Sequence, residues 1–96
     1  MRQSRLTEKK FMAMVLQLAR LRGWLAYHTH DSRRSVQGFP DLLLVRGNRV
    51  VVAELKVGRR RPTAEQAAWL EAFNEADVAA YLWRPESWGE IEAVLR

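Results

Sequence analysis

Apolar residues recur at helical spacing from about Thr7 to Arg22. Phe11, Met14, Val15, Leu18 and Leu21 fall on one face, and Gly23 supplies the stop. WLAYHT (24–29) then reads as a short strand, and HDSRRSVQGFP (30–40) as a polar loop with Gly and Pro. DLLLVR and VVVAELK are strands on either side of RGNR, where Gly47-Asn48 suits a two-residue primed hairpin turn. GRRRP is a basic connector. Thr63 opens a helix running to about Glu75, with Thr63 and Gln66 spaced as a capping box and Ala67, Ala68, Leu70 and Phe73 as apolar positions. VAAYLWR is a fourth strand, and PESWGEIEAVLR a terminal helix with Pro85 near its first turn. The order α-β-β-β-α-β-α over residues 1–96 predicts a single α/β domain, a mixed sheet flanked by helices.

The run VVVAELK breaks its own pattern. Glu54 and Lys56 stand two apart and so share a strand face with Val50 and Val52. Counting back from the turn, Arg46 faces Arg49, Val45 faces Val50, and the same register brings Asp41 opposite Glu54. Facing side chains have Cβ atoms roughly 5 Å apart. Two carboxylates at that separation repel by about 3 kcal/mol at an effective dielectric near 20. A divalent cation turns that repulsion into coordination, because magnesium takes one or two carboxylates and keeps positions for water and phosphate. Lys56, roughly 7 Å beyond Glu54 along the strand, then acts as a point charge for a water or phosphate oxygen. The competing reading is an edge hairpin whose charges are simply solvated.

Composition sharpens the choice. The chain has 96 residues, 48% hydrophobic and 28% charged, which is ordinary globular composition. With no cysteine, disulfides and thiolate zinc sites are excluded. No apolar run reaches the roughly 20 residues of a membrane span, and no h-region follows the charged start, so an intracellular protein without membrane attachment is expected. The net charge of +5 favours polyanionic partners.

Further residues join the facing acids. Glu8 lies on the apolar face of the first helix, where a third carboxylate pointing at the sheet fits a metal centre; complementing the helix dipole is the plainer role. His28, His30 and Asp31 are too few for a closed zinc site, and substrate contact by His28 is the better functional reading. Arg33 and Arg34 before Gly38, and Arg59, Arg60 and Arg61 after the Glu54 strand, flank the centre and suit phosphate contact. Trp24, Trp69, Trp83 and Trp88 lie on predicted elements and read as packing residues.

GFPDLLLV (38–45), followed by Glu54-Leu55-Lys56, resembles the PD-(D/E)XK nuclease superfamily. With VVAELK and the later Thr63-x-x-Gln66-x-x-Trp69-Leu70, the chain is similar to the VRR-NUC family of virus-type replication-repair nucleases, from about Thr7 to Trp83. That resemblance implies a restriction-endonuclease-like core and hydrolysis of DNA phosphodiester bonds dependent on Mg2+ or Mn2+. It implies Asp41, Glu54 and the carbonyl of Leu55 as metal ligands, with Glu8 as a further one, Lys56 as the catalytic lysine, and Gln66 near the site. It also implies branched or four-way junction DNA as substrate, a homodimer, a replication or repair helicase as candidate partner, and a cytoplasmic setting in bacteria or a phage-infected host. The alternative is a non-catalytic nucleic-acid-binding module on the same fold.

Overall fold

The computed structural model describes residues 6–29 and 36–96. Thr7 caps the first helix, its hydroxyl accepting from the Lys10 N–H at 3.1 Å, and α1 runs over Glu8–Leu21. Strands β1 (Leu25–His28), β2 (Leu42–Arg46) and β3 (Arg49–Leu55) follow, then α2 (Ala64–Glu75), β4 (Ala79–Trp83) and α3 (Trp88–Val94). The element order is the one expected from the sequence. The terminal helix differs in detail: Pro85–Ser87 form a separate 3-10 turn ahead of α3.

The four strands make one sheet in the order β1-β2-β3-β4, antiparallel across the first three and parallel between β3 and β4. It is therefore mixed, as the pattern predicted. The hairpin has the expected register, with Arg46 opposite Arg49 and Leu42 opposite Ala53. Gly47 has φ of 60° whereas Asn48 stays at negative φ, so the turn has the left-handed residue first, as in type II′.

Alternation along the strands divides the sheet's residues between two faces. Leu42, Leu44, Val51, Ala53 and Leu55 pack with Phe11, Val15 and Ala19 of α1, Trp83, and Ile91 and Leu95 at the C-terminal end. The helix seats its i, i+4 row of Phe11, Val15 and Ala19, together with Leu16. This corrects the predicted helix face: Met14 is exposed, Leu21 is 78% exposed and Leu18 is half-buried. Met14 sits three positions after buried Phe11 and Leu21 three after half-buried Leu18, both off the Phe11, Val15 and Ala19 row.

The opposite face is covered only in part. Helix α2 packs on β4 and β3. None of its residues is fully buried: of the apolar positions read from the sequence, Ala67 and Ala68 are exposed and Leu70 and Phe73 half-buried, as is Trp69. The Phe39 ring packs edge-on against Trp69 and Phe73, with centroids 5.1 and 6.0 Å away. Over β1 and β2 the face stays open, leaving Leu25 75% and Tyr27 57% exposed. No helix among the described residues is long and apolar enough to cross a membrane.

Three arginines tie the hairpin to the C-terminal end. Arg46 and Arg49 lie over the Trp24 ring at 4.7 and 4.9 Å. Arg46 donates to the carbonyls of Arg22 and Arg96, Arg49 to those of Val94 and Arg96, and Arg22 to that of Glu92. These bonds satisfy carbonyls that the last turn of a helix leaves without partners.

Candidate active site

Asp41 sits at the entrance to β2, one residue beyond the last ladder pair of the hairpin. Its position is fixed on two sides. The Thr29 N–H donates to its carbonyl at 3.0 Å, and its own Oδ2 accepts from the Leu55 N–H at 2.8 Å. The Asp41 and Glu54 carboxyls meet there as the register requires, close enough for each to act on the other's charge.

Burial decides between the two readings of the Glu54 and Lys56 pair. Glu54 is 2% and Lys56 6% exposed, so these are not solvated edge charges. Lys56 Nζ lies 3.6 Å from Glu54 Oε2, while Glu54 Oε1 is buried without a hydrogen-bond partner. Loss of solvation, and then the neighbouring Asp41 charge, push the Glu54 carboxyl from 4.5 up to about 8, against the opposing pull of Lys56. Asp41 is raised as well, chiefly by burial, with the Leu55 hydrogen bond and Lys56 working in the other direction and Glu8 adding to the rise. One buried and one half-buried acid, with one unsatisfied oxygen on Glu54, form a donor set that suits a hard, oxygen-seeking dication.

A cleft of about 320 Å³ opens beside Asp41, lined also by Glu8, Met12, His28, Thr29 and Leu55. His28 and Glu8 are thereby brought to the same cleft as Asp41, from β1 and α1. Glu8 is not drawn fully into the group. Its Oε2 lies 3.2 Å from Arg60 Nη1, and among the described residues no three acidic or histidine side chains form a ready metal cluster.

The remaining candidates divide. Gln66 closes the capping box on α2, its Oε1 accepting from the Thr63 N–H at 2.8 Å and its own N–H donating to the Thr63 hydroxyl at 3.1 Å. Its amide oxygen is thus engaged locally, and it does not line the cleft. Arg59, Arg60 and Arg61 are exposed, and the first two line a separate groove of about 620 Å³ with Leu6, Thr7, Glu8, Val57, Gly58 and Pro85. Arg33, Arg34, His30 and Asp31 lie outside the described residues. Sequence reasoning missed Thr29 as the residue that anchors Asp41, and Arg60 as a partner of Glu8. The first could have been found by extending the β1–β2 pairing; the second has no local signal.

No protein-family model matches the sequence, and no curated protein matches it. A solved structure described as a VRR_NUC domain protein superposes with a TM-score of 0.73 over 96% of this chain and 87% of that one, at 18% sequence identity. The likeness establishes the fold: this chain has the architecture of a VRR_NUC domain, the one that its sequence motifs resemble.

Proposed function

We propose that the chain is a divalent-cation-dependent DNA endonuclease that hydrolyses phosphodiester bonds. The observation that carries this reading is the meeting of half-buried Asp41 with buried Glu54 beside buried Lys56 on a fold shared with a VRR_NUC domain protein. Facing acids weaken a sheet, and a module that only bound phosphate would draw no benefit from them.

Asp41, Glu54 and the Leu55 carbonyl, with Glu8 as a further ligand, would hold Mg2+ or Mn2+. Such an ion supplies Lewis-acid polarisation of the scissile phosphate and a bound water of lowered pKa. The protein's own groups do the rest. The Leu55 N–H orients Asp41, and the Lys56 ammonium would hold the attacking water and offset charge growing on the phosphate oxygens. His28 at the cleft and Arg59, Arg60 and Arg61 beside it contact the backbone, as do Arg33 and Arg34 in the preceding loop. Gln66 contributes at the end of α2 nearest the Gly38 loop.

The test is cleavage of linear, nicked, flapped and four-way DNA with Mg2+, Mn2+ or EDTA. Metal-dependent cutting by the parent and its loss in Asp41→Ala and Lys56→Ala are expected. Cutting by both variants at the parent rate would refute the proposal, whereas DNA binding without cutting in either metal identifies a non-catalytic module. Branched DNA is the preferred substrate on this reading. Cutting two strands symmetrically then requires a homodimer, since each chain carries one centre. The bare sheet face around Leu25 and Tyr27 supports a second copy docking there. A sedimentation mass of one chain at working concentration excludes the dimer and leaves the nuclease reading intact. A replication or repair helicase as directing partner rests on the sequence resemblance alone.

A further inference from the structure

Glu8 is the one residue shared by the linings of the cleft beside Asp41 and the groove beside Arg59 and Arg60. Its carboxylate faces two ways. On the cleft side it adds to the negative charge felt by Asp41. On the groove side its Oε2 lies 3.2 Å from Arg60 Nη1. That oxygen is closed to solvent yet lacks a hydrogen bond, so the contact with Arg60 is ionic and poorly aligned. The Arg60 side chain is two-thirds exposed and free to swing into the groove.

We propose that Arg60 stands in for the divalent cation at Glu8, and that cation uptake passes its guanidinium from the carboxylate to a backbone phosphate in the adjoining groove. The inference rests on the metal-dependent nuclease reading and adds to it a route by which cation and DNA binding strengthen one another. A dication offers the acids twice the charge of the guanidinium and displaces it from an ion pair that holds no hydrogen bond. The released guanidinium lies in an open groove beside Arg59, where a phosphate accepts its planar fork through two parallel bonds. Linkage makes the effect reciprocal: whatever factor the cation adds to DNA affinity, DNA adds to cation affinity.

An exposed ion pair with no such role makes a different prediction, because removing it would change neither equilibrium. Calcium binding to the DNA-free 96-residue chain is measured by titration calorimetry for the parent, Arg60→Ala, Arg59→Ala and Asp41→Asn. Binding of a labelled DNA duplex is measured by anisotropy in calcium and in EDTA. With its competitor gone, Arg60→Ala takes up calcium about two- to fivefold more tightly, the scale of an exposed ion pair. Its calcium-dependent gain in DNA affinity shrinks by a similar factor. Arg59→Ala removes the same charge from the same groove but leaves calcium affinity closer to the parent's.

Unchanged calcium affinity in Arg60→Ala, an unchanged gain in DNA affinity, or equal effects of the two arginine variants would each overturn the exchange. Asp41→Asn separates this from the underlying reading. If it binds calcium as well as the parent does, the metal centre itself is wrong, whatever Arg60 does.

Discussion

Replacing Glu54 by Gln separates the stability of the site from its chemistry. Glu54 is buried beside Asp41, and its carboxyl is raised from 4.5 to about 8. Between those values the folded chain keeps a proton that the unfolded chain releases. The group's contribution to stability is therefore complete below pH 4.5 and lost as pH rises through about 8. At 1.36 kcal/mol per pKa unit the full interval is worth roughly 4 to 5 kcal/mol, which water penetration and adjustment of Lys56 reduce to about 2–4 kcal/mol. Gln keeps the shape and carries no charge, and Asp41 remains as a counter-charge to Lys56. In EDTA at pH 8.5, Glu54→Gln should exceed the parent's stability by about 2–4 kcal/mol, a rise in Tm of roughly 10 °C or more for a domain of this size. At pH 5 the gap should close to within about 1 kcal/mol. Magnesium at pH 8.5 should raise the parent's Tm and leave the variant's nearly unchanged, because a ligand stabilises only the state that binds it. Calorimetric melts at the two pH values decide it. A variant no more stable than the parent at pH 8.5, or equally favoured at both, would refute the account of a buried acid held proton-bound without its cation.

Three other substitutions test the surroundings. Gly38 has φ of +84°, and a Cβ there would lie 2.6 Å from the backbone of Glu65; Gly38→Ala should lose about 2–4 kcal/mol in urea unfolding by pushing the loop away from α2. Arg46→Ala removes a cation over Trp24 and the bonds to the Arg22 and Arg96 carbonyls, so its Tm should fall by the equivalent of about 1–2 kcal/mol. The salt dependence of DNA binding should be unmoved by that change, and a shallower slope would place Arg46 on the DNA. Lys56→Met should abolish cleavage, yet melt at or above the parent's temperature at pH 5, where Glu54 is neutral and the buried ammonium keeps only the more distant Asp41 charge; a large loss there would make Lys56 a structural residue first.

What the sequence disclosed depended on the range of the interaction. The hairpin register follows from a two-residue turn and strict alternation, so the meeting of Asp41 and Glu54 was legible from a few adjacent residues. Thr63 and Gln66 behaved likewise, since a capping box spans only one helical turn. Burial of Glu54 and Lys56 was not legible, because it depends on β4 and α2 arriving beside β3 from later in the chain. The buried row of α1 was misjudged for a related reason: Met14 and Phe11 share a helical face, but the breadth of the sheet decides which flank of that face is covered. The ion pair of Glu8 with Arg60 and the clasp of Arg22, Arg46 and Arg49 on the last turn join distant segments without any periodicity to announce them.

Those distant contacts bear on why so small a chain can keep its charges buried. A domain of this length has a net stability of roughly 5–10 kcal/mol, and a buried Glu54 that removes about 2–4 kcal/mol at basic pH is a large share of it. The offsetting interactions lie away from the cleft: Trp24 under the guanidinium groups of Arg46 and Arg49, its Nε1 donating to the Leu95 carbonyl at 3.0 Å, and the C-terminal carbonyls capped by guanidinium groups. The sheet thus divides into two ends. At the turn end of the hairpin, charge is spent on holding α3 in place. At the open end, where β2 begins and β3 finishes, Glu54 and Lys56 are buried beside Asp41, and one Glu54 oxygen has no hydrogen-bond partner. An arginine moved from the clasp to the cleft would neutralise the acids and stabilise the fold, and it would close the position proposed for a dication. The separation of the clasp arginines from Lys56 along one hairpin is what would let the same short ribbon be both a fastener and, on the proposed function, a reactive edge.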